Sequence, residues 1–300
     1  MGSASNVLFI VTLLLSWGWI SSLHGQNDHQ GKSLADMRVI TYNVWYGFTK
    51  VPERKSIWLQ WMQDQAPDVV SLQELNGYTP DRLQADAATW EHPYTALLKE
   101  DGFPTGITSR YPIEELKRFR DGFHHGAIRA RIQGIYFYVI HLHPSNWQVR
   151  HHEIDALLKD MSGLKQDAKI ILAGDFNTLS HADSAFYRHG RLEPFFAARD
   201  KAYAEHNLNA GKLDYQVTHK VSAAHLIDSE HYLRKADYRF TGTFPTQIEK
   251  EGEHGDQRRL DYIYISKNLK DKLTKAVIIS DHTTQRLSDH LPVCVDLQLE

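Results

Sequence analysis

Asp175 and Asn177 stand two residues apart where the apolar run Lys169-Ile170-Ile171-Leu172-Ala173-Gly174 stops. The run has the length of a buried strand, and side chains two apart on a strand leave by the same face. A carboxylate and an amide are therefore presented together at a strand's end. Other strand-like runs carry chemistry-bearing residues at a terminus too. Asn43 lies near the end of Met37–Trp45, Glu74 closes Asp68–Gln73, and His141 lies near the end of the run from Ile135 to His143. Asp261 begins Tyr262–Ile265, and Asp289-His290 immediately precedes Leu291-Pro292-Val293. If those last two strands run opposite to the others, all eight residues gather on one rim. Such a rim is rich in oxygen donors and has no cysteine, which suits Mg²⁺, Mn²⁺ or Ca²⁺ rather than structural zinc. Phosphoester hydrolysis needs this inventory: a cation to neutralise phosphate, a carboxylate to orient or deprotonate water, and a donor for the charge developing on phosphoryl oxygens.

The elements that must hold these residues alternate between strands and helices. The strand ending near Asn43 is followed by a turn at Gly47 and a helix opened by Pro52, with Ile57, Trp58, Trp61 and Met62 at helical spacing and Ala66-Pro67 as its stop. Asp68–Glu74 is nearly continuous in apolar character, as a strand covered on both faces is. A helix over about Asp81–Trp90 and weaker strands at 94–98 and 106–109 follow. Ala127–Ile132 and Ile135–His143 form a hairpin around Gly134, and the helix from His151 to Leu164 leads into the Asp175 strand. From about 199 to 240 periodicity is poor and polar residues dominate, which predicts an insertion of loops and short helices.

The 300 residues carry 42% hydrophobic and 24% charged side chains, enough for a full core in one domain over residues 34–300. A net charge of -3 supplies no global basic field for a nucleic-acid backbone, although a local patch would suffice. Val7–Ile20 is too short for a membrane span of ~20 residues and suits the core of a signal peptide over residues 1–25. Export, with no membrane span left after cleavage, is the expectation. Cys294 is the only cysteine and reads as a small apolar strand residue, so no intramolecular disulfide is available.

Six motifs in order carry a family resemblance. Asn43 in Thr41-Tyr42-Asn43-Val44, Glu74 in Leu72-Gln73-Glu74, His141 in Ile140-His141-Leu142, Gly174-Asp175-Phe176-Asn177, Arg259-Leu260-Asp261-Tyr262-Ile263 and Ser288-Asp289-His290-Leu291-Pro292-Val293 resemble those of the endonuclease/exonuclease/phosphatase superfamily, the deoxyribonuclease-like fold. The resemblance runs from about Met37 to Leu299 and implies a four-layered αββα sandwich, two mixed sheets face to face with helices outside. It further implies Glu74 as the principal metal ligand, with Asn43 and Asp289 nearby. By the same likeness Asp175 activates the attacking water, Asn177 holds that water or a phosphate oxygen, and His290, paired with Asp261, contacts phosphate. His141 falls where relatives place a histidine or tyrosine that contacts phosphate or assists the leaving group. Trp45 departs from the pattern, since several nucleases carry Asp or Asn two positions after the Asn43 equivalent.

These implications point to a divalent-metal-dependent hydrolase of phosphodiester or phosphomonoester bonds, expected as a monomer, and the acidic balance with no Lys/Arg-rich stripe and no long exposed apolar hairpin favours a small phosphorylated substrate. Secreted nuclease and sphingomyelinase-type phospholipase stand as alternatives, and a non-catalytic binding module on the same fold as one of another class. A zinc hydrolase drawing on the 18 histidines lacks the paired-histidine helix spacing. His143, Asn146, Trp147 and Arg129 are weaker candidates for substrate contact, each more simply a structural residue. His124, His125, His151 and His152 read as solvated surface groups.

Overall fold

A computed structural model describes residues 1–2, 36–248 and 253–299, and the chain divides into units 1–33 and 34–300. Apart from its first two residues, the expected signal peptide lies outside the described residues. Among the described residues no helix is long and apolar enough to cross a membrane.

The chain order is β1 (Asp36–Asn43), α1 (Lys55–Gln65), β2 (Val69–Gln73), α2 (Pro80–Ala88), β3 (Tyr94–Leu97), β4 (Gly106–Ser109), β5 (Glu114–Phe119), β6 (Ala127–Ile132) and β7 (Ile135–His141). It continues through α3 (Trp147–Ser162), β8 (Lys169–Asp175), α4 (Leu192–Tyr203), α5 (Gln216–Ala223), β9 (Leu226–Asp228), α6 (Ser229–Leu233), β10 (Asp261–Ser266), β11 (Leu273–Ile278) and β12 (Val293–Gln298). The strands form two six-stranded sheets, ordered β11-β12-β1-β2-β4-β3 and β5-β6-β7-β8-β10-β9. Each sheet is built around a parallel pair, β1 with β2 and β7 with β8, joined through α1 and α3 respectively. β12 lies antiparallel to β1, and β10 antiparallel to β8. The late strands therefore do run opposite, which brings their starts to the rim where the early strands end.

Alternation explains both the layers and the rim. Val39, Val69, Phe137, Val139, Ile171, Ala173, Ile263, Val293 and Val295 fill the space between the sheets. The intervening Ile40, Tyr42, Val70 and Leu72 face outward onto Trp58, Trp61, Met62 and Trp90, whereas Tyr138, Ile140, Leu172 and Tyr264 pack on Ile154, Leu157 and Met161 of α3 and on α5. Asn43, His141, Asp175 and Asp261 share parity with the inward set, so each is the inward-facing side chain nearest the rim, the last of β1, β7 and β8 and the first of β10. Below them the buried polar residues Thr41, Ser71 and Gln73 are linked to one another, Gln73 Nε2 donating to Ser71 Oγ at 2.8 Å.

Several expectations need correction. The 199–240 stretch is not simply an insertion of loops and short helices, because Leu226–Asp228 pairs with β10 as an edge of the second sheet. β5, absent from the sequence reading, carries the run Glu114-Glu115-Leu116-Lys117-Arg118, whose charges suit an exposed sheet edge. Pro52 opens a short 3₁₀ turn ahead of α1, and Ile57 is exposed, while Trp58, Trp61 and Met62 are buried as the spacing predicts.

The start of β10 is fixed by Arg259, which is buried and donates through Nε to Asp183 at 2.8 Å and through its terminal nitrogens to Asp228 at 2.9 and 2.6 Å. Arg234 lies 2.6 Å from the other oxygen of Asp183. Breaking such a network strands carboxylates without a counter-charge. Arg259→Leu is expected to cost about 3–5 kcal/mol in denaturant unfolding; a loss below about 1 kcal/mol, the scale of a surface pair, would show the network to be dispensable.

Candidate active site

Register sets the central row. His141 is paired with Asp175 across β7 and β8, and Asp175 with Asp261 across β8 and β10. His141 Nε2 lies 3.6 Å from Asp175 Oδ2, and Asp261 Oδ2 lies 2.7 Å from His290 Nδ1. The far nitrogen of His290, Nε2, faces Asp175 Oδ2 at 3.8 Å. From the other sheet Asn43 donates its amide toward Asp175 Oδ2 at 3.1 Å and Glu74 Oε1 at 3.2 Å. Glu74 adopts a positive φ of 58° just beyond β2, and its second oxygen accepts from the Tyr46 backbone N–H at 2.9 Å. The Ser288 hydroxyl sits 2.7 Å from the Asn43 carbonyl oxygen and 3.2 Å from Asp289 Oδ1, which ties Asp289 to the same rim. Asn177 donates its backbone N–H to Asp175 Oδ1 and its amide to the Leu142 carbonyl. All eight residues singled out in the sequence are thus brought to one end of the sandwich.

Electrostatics separates their roles. Burial alone would lower His290, but Asp261, Asp175 and Asp289 outweigh it and hold the imidazole up at about 10, so it is a cation at neutral pH. Burial, reinforced by Asp261, pushes Asp175 above the usual carboxylate range even though His290, the Asn177 N–H and Asn43 pull the other way. His141 is driven down by burial and by the neighbouring His125 and His290, so it stays neutral.

Asp175, Asp261 and His290 have ligand-type atoms within 4.8 Å of one another. The three are joined by ion pairing, His290 to Asp261 at 2.7 Å and toward Asp175 at 3.8 Å, and a metal bound at His290 would have to displace the proton of the imidazolium. Glu74 and Asn43 offer the oxygen donors that a hard cation takes. The surrounding carboxylates outnumber the one imidazolium, and Asp261 Oδ1 is buried without a hydrogen bond among the described residues. The site fits an added positive charge.

Other residues help that the sequence did not single out. Phe244 packs against the His290 ring with centroids 4.8 Å apart, and the Thr243 hydroxyl accepts from the Asp261 backbone N–H at 3.1 Å. Glu153, buried on α3, accepts from the backbone N–H groups of His124 and His143 at 2.7 and 2.8 Å and positions the loops that carry them. His125 corrects the sequence reading: it is buried and stacked on His141 with centroids 4.0 Å apart. His151 is half-buried and bonded to Asp214 at 2.9 Å, whereas His124 and His152 are exposed. Of the weaker candidates, Asn146 caps α3, Arg129 pairs with Asp160 at 2.9 Å, Trp147 packs edge-on against His151, and His143 stacks on His124.

A sequence profile of the Endonuclease/Exonuclease/phosphatase family matches residues 40–290. The chain belongs to that family. Family members are hydrolases acting on phosphoester bonds. Solved structures of this fold include the 3'-5' exonuclease NExo of Neisseria meningitidis, with a TM-score of 0.63 and 18% identity over 87% of this chain and 100% of its own. An AP endonuclease from Archaeoglobus fulgidus aligns with a TM-score of 0.62 and 16% identity, covering 86% of this chain and 98% of that one. D. rerio TDP2 complexed with single-strand DNA product aligns at 0.59 with 19% identity, covering 87% and 98%. At such identities the likeness is one of fold, and among curated proteins no sequence matches.

Gly174 is what allows the family's Gly-Asp-Phe-Asn turn in this chain, since it has a φ of +147° and a Cβ there would run into the Ile140 carbonyl. Gly174→Ala is expected to displace Asp175 and to lower thermal stability by several degrees, which differential scanning calorimetry would register. In EDTA, the His290 imidazole should titrate near pH 10 by NMR, and Asp261→Asn should lower that value as burial is opposed only by Asp175 and Asp289. The stabilisation from charged His290 is then fully present below about pH 6.5 and lost as pH rises toward 10. An imidazole already neutral at pH 8 in the unsubstituted protein would contradict this charge assignment.

Proposed function

We propose that the chain is an exported, divalent-metal-dependent phosphoester hydrolase acting on a small phosphorylated molecule by in-line attack of water. The observation that carries the reading is the charged His290, held by Asp261 and directed at Asp175, beside the Asn43–Glu74 pair from the opposite sheet. Asp175 has the elevated basicity of a proton acceptor, and Asn177 is held against it to position water. Charged His290 donates to a phosphoryl oxygen as negative charge builds there, with Asp261 fixing the ring. Neutral His141, flanking Asp175 on the other side, is placed to contact phosphate or the leaving oxygen. Glu74 and Asn43, with Asp289 nearby, would hold Mg²⁺ or Mn²⁺, which supplies neutralisation of phosphate charge and polarisation of the P–O bond. The net charge of -3 favours a small substrate over duplex nucleic acid, and the leader-like Val7–Ile20 supports export.

The mature protein is expected to hydrolyse bis-p-nitrophenyl phosphate or its monoester with Mg²⁺ or Mn²⁺, to stop in EDTA, and to recover on adding the metal back. Glu74→Ala and His290→Ala should each lower kcat by at least about 100-fold, the scale of losing one preorganised charge stabiliser. Activity that survives both chelation and these substitutions would refute the assignment. A panel of inositol phosphates, sugar phosphates, sphingomyelin, RNA and plasmid DNA under one metal condition then resolves the substrate: preference for plasmid DNA would replace the small-molecule reading with a nuclease.

A further inference from the structure

Beside the site lies a cavity of about 50 Å³, several times the ~10–15 Å³ that accommodates a water. Asn177 and Thr178, just past the end of β8, form part of its wall, so it adjoins the Asp175 centre. Two arginines face it. Arg150 comes from the buried side of α3 and Arg258 from the segment just before β10; they are only 3% and 6% exposed. Neither has a carboxylate within ion-pair distance among the described residues. Arg150 Nη1 donates to the His143 carbonyl at 3.1 Å, and Arg258 Nη1 to the His254 and Asp256 carbonyls at 2.7 and 3.1 Å. The Nε of each is buried with no hydrogen-bond partner among the described residues. A guanidinium has five N–H donors, so most of those on each side chain are uncommitted.

Buried Arg259 and partly buried Arg234 show the contrast. Arg259 is matched by Asp183 and Asp228, and Arg234 by Asp183 and Glu230. Arg150 and Arg258 have no such match, and burial pushes both down to about 10. The carboxylate in the cavity wall, Asp214, is turned to His151 at 2.9 Å and to the Asn209 amide at 3.3 Å. Arg258 lies over the Phe244 ring, 4.7 Å from its centroid, and the same ring packs on His290. One aromatic side chain therefore separates the cavity's cation from the imidazolium of the site.

We propose that this cavity is a second anion subsite, in which Arg150 and Arg258 grip a phosphate or sulfate group of a substrate whose scissile phosphate sits at Asp175 and His290. Planar forks matched to a tetrahedral oxyanion are what the free donors offer, and the anion supplies the missing counter-charge. The favoured substrate class is a small molecule bearing two such groups. The existence of the anion site rests on geometry alone; its assignment to substrate rests on the hydrolase reading above.

The test has two arms on the intact chain. In EDTA, inorganic phosphate binding is followed by calorimetry in the unsubstituted protein, in Arg150→Gln/Arg258→Gln, in the charge-retaining Arg150→Lys/Arg258→Lys and in His290→Asn. Affinity should fall at least about tenfold in the Gln pair, recover in part in the Lys pair, and persist in His290→Asn. Phosphate affinity that follows His290 and ignores the arginines overturns the subsite. In the second arm, with Mg²⁺, the ratio of kcat/KM for a bisphosphorylated over a monophosphorylated substrate should drop about tenfold or more in the Gln pair, and an unchanged ratio overturns the substrate assignment. Phosphate held by the arginines in a protein that hydrolyses no phosphoester would instead uphold the subsite and sink the hydrolase reading.

Discussion

Three buried carboxylates share one imidazolium, and the rest of the architecture is arranged to sustain that imbalance. Asp175, Asp261 and Asp289 are all nearly out of water, and charges so placed demand compensation. His290 supplies part of it by remaining protonated, and Asn43, the Asn177 N–H and Ser288 supply hydrogen bonds. The remainder is a standing deficit of positive charge at the mouth of the sandwich. A site in this condition fits an added positive charge, and preorganised charge of this kind is what phosphoester hydrolysis draws on.

The surrounding scaffold fixes where these charges stand. The row His141–Asp175–Asp261 is set by strand register, and a slip of one residue would turn every member of a strand away from the inter-sheet space. Outside each sheet a helical layer closes the core, with the tryptophans of α1 and the segment after α2 on one side and α3 with α5 on the other. The Arg259 network secures the point where the chain enters β10, two residues before Asp261, so the group that orients His290 starts from a fixed place.

Much of this was legible in the sequence because strand termini are written in short patterns: an apolar run, a stop, a polar residue. Asn43, Glu74, His141 and Asp175 follow that order, and Asp261 and Asp289-His290 show it reversed, a polar residue just ahead of an apolar run. What the sequence did not disclose depends on the third dimension. β5 and β9 lack alternation because one is a charged edge and the other spans only Leu226–Asp228. His125 looked like one of many surface histidines, since its burial comes from stacking on a residue distant in the chain. Arg258, adjacent to Arg259 in sequence, could not be told from it, yet one is enclosed by acids and the other by Phe195, Phe196 and Phe244.

The Asn43 side chain carries a consequence of its own. Its single amide group reaches Glu74 in the first sheet and Asp175 in the second, so one side chain spans the seam between the two halves of the sandwich. The two carboxylates therefore keep their separation only while the sheets hold their relative position. Any sliding of one layer over the other is felt first at this amide, which makes the reactive geometry a direct gauge of how the two halves of the molecule are seated.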